Sequence, residues 1–104
     1  MGVQVRLDHD DAAGPTIMLS GEIDLQVAPT LREAGDAAIA HAGGNPVRID
    51  LSGVTFLDST GIGALVAISN AAHDKDVPLR LRSVPEKITK LLSITGLDDV
   101  FVTE

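Results

Sequence analysis

The sequence lacks cysteine, tryptophan and tyrosine, and it has only two phenylalanines among its 104 residues. Without cysteine the chain forms no disulfide, no thiolate metal site and no thiol redox switch of its own. So few aromatic rings also argue against a stacking platform for bases or sugars. The hydrophobic fraction of 44% is nevertheless sufficient for a folded core, and the length predicts a single domain over residues 1–104.

Positive charge and long apolar runs are also scarce. The formal net charge of −7 disfavours nucleic acid, which is bound through Lys and Arg, and it equally disfavours an anionic membrane surface. No apolar run reaches the ~20 residues that a membrane-spanning helix needs, and no positively charged leader precedes an apolar segment. We therefore expect a cytoplasmic protein that contacts neither nucleic acid nor membrane directly.

Apolar periodicity predicts the element order β-β-α-β-α-β-α, followed by a short strand at residues 100–102. Strands are expected near residues 3–7, 16–20, 47–51 and 79–82, where apolar side chains alternate or run continuously. Strand–helix–strand units favour parallel neighbours. One sheet face would be charged, so the helices are expected on the other face. The charged face would carry Arg6, Arg48, Asp50, Arg80 and Arg82. The predicted fold is α/β, a mixed sheet of four to five strands with three or more helices packed mainly on one face.

Three helices are expected between these strands. The first spans about residues 26–42 and has Pro29 in its first turn. The second runs to about residue 72 and has a broad apolar arc, with Ile62, Leu65, Val66 and Ser69 along one face and Ala64, Ile68 and Ala71 beside it. The third begins with a capping box, in which Ser83 caps and Glu86 stands three residues on, and Gly96 ends it.

The stretch from residue 54 to residue 63, which links the third predicted strand to the second helix, is the most distinctive in the chain. Asp58 and Ser59 are both suited to cap a helix start by accepting backbone N–H bonds. Gly61 and Gly63 follow, and each costs a helix about 1 kcal/mol relative to alanine. Glycine in a helix despite this loss of stability indicates that another segment of the chain, or a partner, approaches the backbone closely.

Catalytic and metal-binding motifs are missing around this stretch. The nucleophile elbow G-x-S-x-G requires glycine two residues before the serine, and Leu57 stands there. No phosphate-binding loop with a terminal lysine occurs. His9 lies among acidic neighbours, but consecutive residues of an extended loop do not converge on one ion, so we expect a solvated turn and no metal. The pattern favours a protein that is itself modified, because a hydroxyl at a helix start, beside acidic residues and glycines, can take a phosphate without unfolding its helix.

Two segments carry a resemblance to a known family. Gly21-Glu22-Ile23-Asp24, with Ala28-Pro29 after it, resembles the first signature of STAS domains. The segment from Phe56 to Gly63 resembles the second, in the form found in anti-sigma factor antagonists. The resemblance extends over essentially the whole chain, including the segment from Leu91 to Leu97.

This resemblance implies a partner switch without catalysis, cofactor or metal. The unphosphorylated protein would bind an anti-sigma factor that is also a serine kinase, and so release a sigma factor. Phosphorylation of Ser59 would end that binding, and a metal-dependent serine phosphatase would restore it. Carried over by position, the flanking or partner-binding residues are Asp24, Asp58, Thr60, Gly61 and Gly63. We expect a monomer or a weak dimer.

Other interpretations remain open at the level of sequence. The same fold serves as a non-catalytic subunit of lipid transporters and of sensory scaffolds, where no phosphorylation cycle operates. A hydrolase that uses Ser59 is a third reading. Asp24 has two readings of its own, since it either contributes to the switch or caps the helix that follows it.

Overall fold

The computed structural model describes residues 3–10 and 12–104, and this part of the chain forms one five-stranded sheet and three helices. The strands follow the order β1-β2-β3-β4-β5 across the sheet. The pair β1–β2 is antiparallel and the other three pairs are parallel. The strands are β1 (Gln4–Asp10), β2 (Gly14–Ile23), β3 (Val47–Leu57), β4 (Leu79–Arg82) and β5 (Val102–Thr103). The helices are α1 (Ala28–Ala40), α2 (Ser59–Asp74) and α3 (Glu86–Ile94). The predicted fold class and element order are confirmed.

The core lies between one face of the sheet and the helices. Ile17 of β2, Ile49 of β3 and Leu81 of β4 are fully buried on this face. Leu31 of α1 and Leu65 and Ile68 of α2 cover them and are fully buried as well. Removing this apolar surface from water stabilises the fold by about 25 cal/mol for each Å² buried.

The opposite face of the sheet carries the charged side chains that the alternation predicts. Arg48 and Arg80 lie directly opposite each other on β3 and β4, an arrangement that is destabilising when nothing compensates it. Glu104 accepts hydrogen bonds from both arginines, at 2.9 Å and 3.4 Å. The hydrogen bond from Arg48 is the main reason why the pKa of Glu104 lies below its usual value. Asp50 is the exception on this face, because it is buried and accepts a hydrogen bond from the Ser52 N–H at 2.9 Å.

Two strands are longer than the sequence indicates. β2 continues to Ile23 and β3 continues to Leu57, so Glu22 lies inside a strand instead of beyond its end. For β3 the irregular register explains the difference, because the extra residues near Gly53 and Val54 shift the inward and outward alternation within that strand. A prediction from periodicity alone ends a strand at the residue where the alternation of apolar and polar side chains breaks.

The apolar arc predicted for α2 is only partly buried, and the cap predicted for the third helix is wrong. The buried face of α2 consists of Gly61, Ala64, Leu65, Ile68 and Ala72, whereas the partly exposed side of the same helix holds Ile62, Val66 and Ser69. The third helix has no capping box, since α3 has Pro85 at its N-cap and no side-chain cap. Ser83 instead has a positive φ of 53°, and residue 84 precedes a proline, which disfavours helical geometry there. β1 is less buried than the central strands, since Val5 packs partly against the core but Leu7 is 37% exposed at the sheet edge.

Helices α1 and α2 cross with a glycine at their contact. A Cβ placed on Gly35 would lie 2.5 Å from Cγ1 and 2.7 Å from Cδ1 of Ile68. Ile68 is fully buried and β-branched, so it has little freedom to move aside. The small inner face of α1 therefore sets the distance between the two helices.

We expect Gly35→Ala to lower the free energy of unfolding by about 1–3 kcal/mol, because overpacking outweighs the gain in helix propensity. Gly63→Ala is the matched control, since a Cβ at that helical position meets nothing within 4 Å. This control should raise the free energy of unfolding by up to about 1 kcal/mol. Urea unfolding of both variants checks the pair, and stabilisation by Gly35→Ala would show that Ile68 yields without cost.

Candidate functional site at the ends of β2 and β3

The ends of β2 and β3 lie side by side because the two strands are parallel neighbours. Ile23 pairs with Leu57 in the register, and the Asp58 N–H donates to the Ile23 carbonyl oxygen at 3.3 Å. Asp24 and Asp58 therefore follow adjacent strand ends, although 34 positions separate them in the chain. The structure brings together the two segments on which the sequence interpretation depends.

Asp58 is the residue that caps α2. Its backbone is extended, and its Oδ1 accepts hydrogen bonds from the N–H groups of Thr60 and Gly61, each at 2.9 Å. The same oxygen accepts from the Thr60 hydroxyl at 2.6 Å. The Thr60 hydroxyl bond, followed by the Gly61 N–H bond, lowers the pKa of Asp58 below its usual value of 3.8, against an opposing effect of partial burial. Asp58 and Thr60 thus form the fixed part of the site.

Ser59 is the first residue of α2 and its side chain is exposed, as the sequence predicts. Within residues 3–10 and 12–104, no hydrogen bond restrains its hydroxyl, because the neighbouring aspartate does the capping. The hydroxyl is consequently open to an approaching enzyme or partner, and the helix does not need it.

No hydrogen bond joins a histidine to Ser59 in the described part of the chain. His73 lies in the last turn of α2, about 21 Å along the helix at 1.5 Å per residue. His41 follows the last turn of α1, where its ring Nδ1 contacts the Ala37 carbonyl oxygen at 2.8 Å. The serine–histidine pair of many hydrolases is therefore not formed by His41 or His73.

The two glycines of α2 serve different purposes. A Cβ on Gly61 would lie 2.5 Å from the Ile23 carbonyl oxygen and 2.8 Å from a Leu57 methyl group. The close backbone approach expected from the sequence is thus present at Gly61, and the partner is β2 itself. Gly63 is exposed and has no such neighbour, so internal packing does not require glycine there.

Asp24 holds the turn between β2 and α1. Its Oδ1 accepts the Gln26 N–H at 3.0 Å, and its carbonyl oxygen accepts from the N–H groups of Val27 and Ala28 at 3.1 Å and 2.9 Å. The reading of Asp24 as a helix cap is wrong, since α1 begins at Ala28 and its N-cap has no side-chain bond. The carboxylate sits too far ahead of the first helical turn and forms an Asx turn instead.

Sequence reasoning missed two exposed apolar side chains at this end of the sheet. Leu25 is 68% exposed just after Asp24, and Phe56 is 50% exposed one residue before the end of β3. Phe56 faces solvent because the inward positions near the end of β3 are Val54 and Leu57. Extension of the predicted strand through Leu57 would have revealed this outward position.

The described residues offer no other obvious chemistry. Across residues 3–10 and 12–104, no group of three His, Cys, Asp or Glu side chains is placed to hold a metal ion. Over the same residues, none of the helices combines the length and the apolar character needed to cross a bilayer.

The fold and this site define a small α/β domain with an exposed serine at a helix start. The chain belongs to the STAS domain family, since the family model described as "Mlab, STAS domain" matches residues 5–103. Among curated relatives, the anti-sigma-B factor antagonist of Bacillus subtilis is 33% identical over 100 residues, which cover 96% of this chain and 87% of that protein. The anti-sigma-B factor antagonist of Listeria monocytogenes is 31% identical, with the same coverage.

Solved structures agree with this assignment. An anti-sigma factor antagonist from Mycobacterium paratuberculosis has a TM-score of 0.77 and 28% identity, over 98% of this chain and 85% of that one. Unphosphorylated SpoIIAA has a TM-score of 0.79 and 19% identity, over 97% and 88% of the two chains. The phosphorylated form of Bacillus SpoIIAA has a TM-score of 0.74 and 18% identity, over 97% and 91%. At these identities the SpoIIAA structures show that the fold is shared.

The capping role of Asp58 predicts a distinctive pH dependence. Because the folded pKa is lowered, the charged form stabilises the fold fully above pH 3.8, and this contribution disappears as the pH falls through the lower folded value. We expect Asp58→Asn, which caps about as well, to flatten the loss of thermal stability below pH 4. Asp58→Ala should lower the Tm at neutral pH as well, because the cap itself is lost. Thermal melts from pH 2.5 to 7 check both, and superimposable profiles for Asn and wild type would contradict the assignment.

Proposed function

We propose that this protein is an anti-sigma factor antagonist of the cytoplasm whose partner binding is controlled by phosphorylation of Ser59. The unmodified form binds an anti-sigma factor that is also a serine kinase, and this releases a sigma factor for transcription. Phosphorylation of Ser59 ends the binding, and a metal-dependent serine phosphatase restores it. The observation that carries the proposal is the exposed, unrestrained Ser59 hydroxyl beside a cap that Asp58 provides alone.

The separation of capping from modification makes the switch compatible with folding. Phosphorylation of a capping serine would disturb the hydrogen bonds at the helix start, whereas the bonds to Asp58 leave Ser59 out. A phosphoserine adds about −1.5 to −2 charges, and the positive end of the α2 dipole partly offsets them. We infer that the phosphorylated protein keeps its fold and changes only its surface.

The same charge has a much larger effect on a docked partner. Asp24 and Asp58 already place two carboxylates at this end of the sheet. Additional negative charge in a closely apposed interface costs several kcal/mol when like charges face each other, and each ~1.4 kcal/mol changes affinity tenfold. The structure thus supports a switch that acts on binding and not on stability.

The surface around Ser59 is suited to a protein partner. Leu25 and Phe56 supply exposed apolar area at the end of the sheet where Ser59 lies, and Gly63 leaves the outer side of α2 bare one turn further on. Exposed apolar area of this kind indicates a protein interface, and the hydroxyl beside it would allow phosphorylation to control the binding. We therefore place the anti-sigma factor on this end of the molecule.

Charge mimicry at Ser59 tests the proposal. Ser59→Asp should fold normally and bind the kinase anti-sigma factor of the same genome at least tenfold more weakly than wild type, a loss of about 1.4 kcal/mol or more. Ser59→Ala should still bind and should take no phosphate when incubated with that kinase and ATP. Calorimetry and phosphopeptide mapping provide the measurements.

Three results would oppose this proposal. Equal affinities for the Ser, Ala and Asp forms would remove Ser59 from the switch. A phosphate mapped to another residue would also contradict the assignment. Stable binding with no phosphorylation under any condition would favour a scaffold subunit that lacks the cycle.

Asp24→Asn separates a role in the switch from a role in the turn. Asparagine can accept the same Gln26 N–H bond, so the Asx turn and the melting temperature should be retained. If the carboxylate acts in the switch, we expect altered partner affinity or a changed rate of Ser59 phosphorylation. An unchanged phosphorylation time course together with unchanged affinity would confine Asp24 to the turn.

A further inference from the structure

The strand β1 leaves one side of its backbone without a strand partner in the described part of the chain. It lies at the edge of the sheet and pairs only with β2, over seven residues. The opposite edge is formed by β5, which has only two residues. Long edge strands present a row of N–H and C=O groups that can pair with another chain, and proteins usually blunt them with prolines, bulges or unfavourable charges. β1 contains no proline, and its register with β2 is regular throughout.

The charges on β1 are arranged symmetrically about its centre. Arg6 and Asp8 flank Leu7, and both lie on the sheet face away from the helices, as their partners Met18 and Thr16 do. In an antiparallel pair of two β1 strands with a two-fold axis at Leu7, each Arg6 stands directly opposite the Asp8 of the other copy. Opposite charges in directly opposed positions stabilise such a pair.

We propose that a second copy of this chain pairs antiparallel with β1, with the two-fold axis at Leu7. The pairing joins two five-stranded sheets into one continuous sheet. The Leu7 side chains, each 37% exposed in a single copy, meet across the axis on the helix-bearing side. We call the line along which the two β1 strands meet the seam. On the sheet face away from the helices, Arg6 and Asp8 of each copy pair with Asp8 and Arg6 of the other copy across this seam.

Several other registers of the same two strands lose the charge pairing. A shift by one residue places charged side chains opposite apolar ones on the wrong faces. An antiparallel axis at Arg6 sets the two Arg6 side chains against each other, and an axis at Asp8 does the same for Asp8. A parallel pair in register opposes like charges at both positions. Among the registers of these strands, the axis at Leu7 opposes Arg6 to Asp8 at both ends and uses all seven residues of β1.

Two features limit the strength of this dimer. In a single copy, Arg6 and Asp8 form an exposed ion pair with each other at 3.0 Å, which the intermolecular contact must replace. The net charge of −7 on each copy adds a long-range repulsion. At 0.15 M salt this repulsion is screened beyond about 8 Å, so the contacts at the seam decide the outcome.

The proposed seam leaves the switch surface free. Leu7 pairs with Ile17, which lies six residues before Ile23, or about 20 Å along β2. Both Ser59 residues of the dimer remain exposed, so each copy can be modified and can bind its partner. The inference about the edge stands independently of the function proposed for Ser59.

Charge reversal across the seam tests the pairing. In Arg6→Asp two aspartates face each other at each end of the seam, and in Asp8→Arg two arginines do. We expect each variant alone to dimerise at least tenfold more weakly than wild type in sedimentation equilibrium up to about 1 mM. An equimolar mixture of the two restores opposite charges at both ends, and it should form a heterodimer with the affinity of the wild type.

Matched variants control for net charge and folding. Lys87→Asp in α3 and Asp98→Arg after it reverse one exposed charge each, away from β1, and should dimerise as wild type does. Thermal melts should show all four variants folded. The proposal is overturned if the wild type stays monomeric at 1 mM, if the Arg6→Asp and Asp8→Arg mixture forms no heterodimer, or if the control variants weaken association equally.

Discussion

The parallel pairing of β2 with β3 is the constraint on which the rest of the molecule depends. Ile17 and Ile49 pair directly in this register and are fully buried, so the two strands meet at the centre of the apolar core. Because the strands run in the same direction, both end at the same edge of the sheet, and the next residues of each enter the candidate site. A slip in this register would move Asp24 away from Asp58 and would turn core side chains toward solvent.

The site is also tied to the core through the backbone of β2. The carbonyl oxygen of Ile23 accepts the Asp58 N–H, and the same oxygen occupies the space that a side chain on Gly61 would need. The first turn of α2 is thus held by the end of β2 and by the Asp58 carboxylate. Ser59 lies between these anchors, yet neither of them uses its hydroxyl, and a modification there can alter the surface without loosening the helix.

Two separate surfaces follow from this architecture. The end of the sheet near Ser59 offers apolar area and a modifiable hydroxyl, which suits a partner whose binding must be reversed. The free edge of β1 offers backbone groups and a symmetric pair of charges, which suits a second copy of the chain. The two surfaces are kept apart because β2 and β3 continue beyond the region that β1 and β4 cover.

The sequence by itself determined the element order, the charged face of the sheet, the family resemblance and the place of Ser59 at a helix start. These features follow from local patterns, namely alternation, helical spacing and capping chemistry, which a short window of residues contains. Only the tertiary structure decided that Asp58 caps alone, that Gly61 is required by Ile23, that Asp24 holds a turn, and that Phe56 is exposed. The need for glycine at Gly61 and the exposure of Phe56 depend on contacts between distant segments and on the register of β3. The Asp58 cap and the Asp24 turn are local, but the sequence offered two capping candidates at α2 and an earlier start for α1, and only the backbone geometry chose between them. The α3 cap shows the same limit, because the proline after Val84 prevented the helix from starting where the Ser83–Glu86 motif alone would place it.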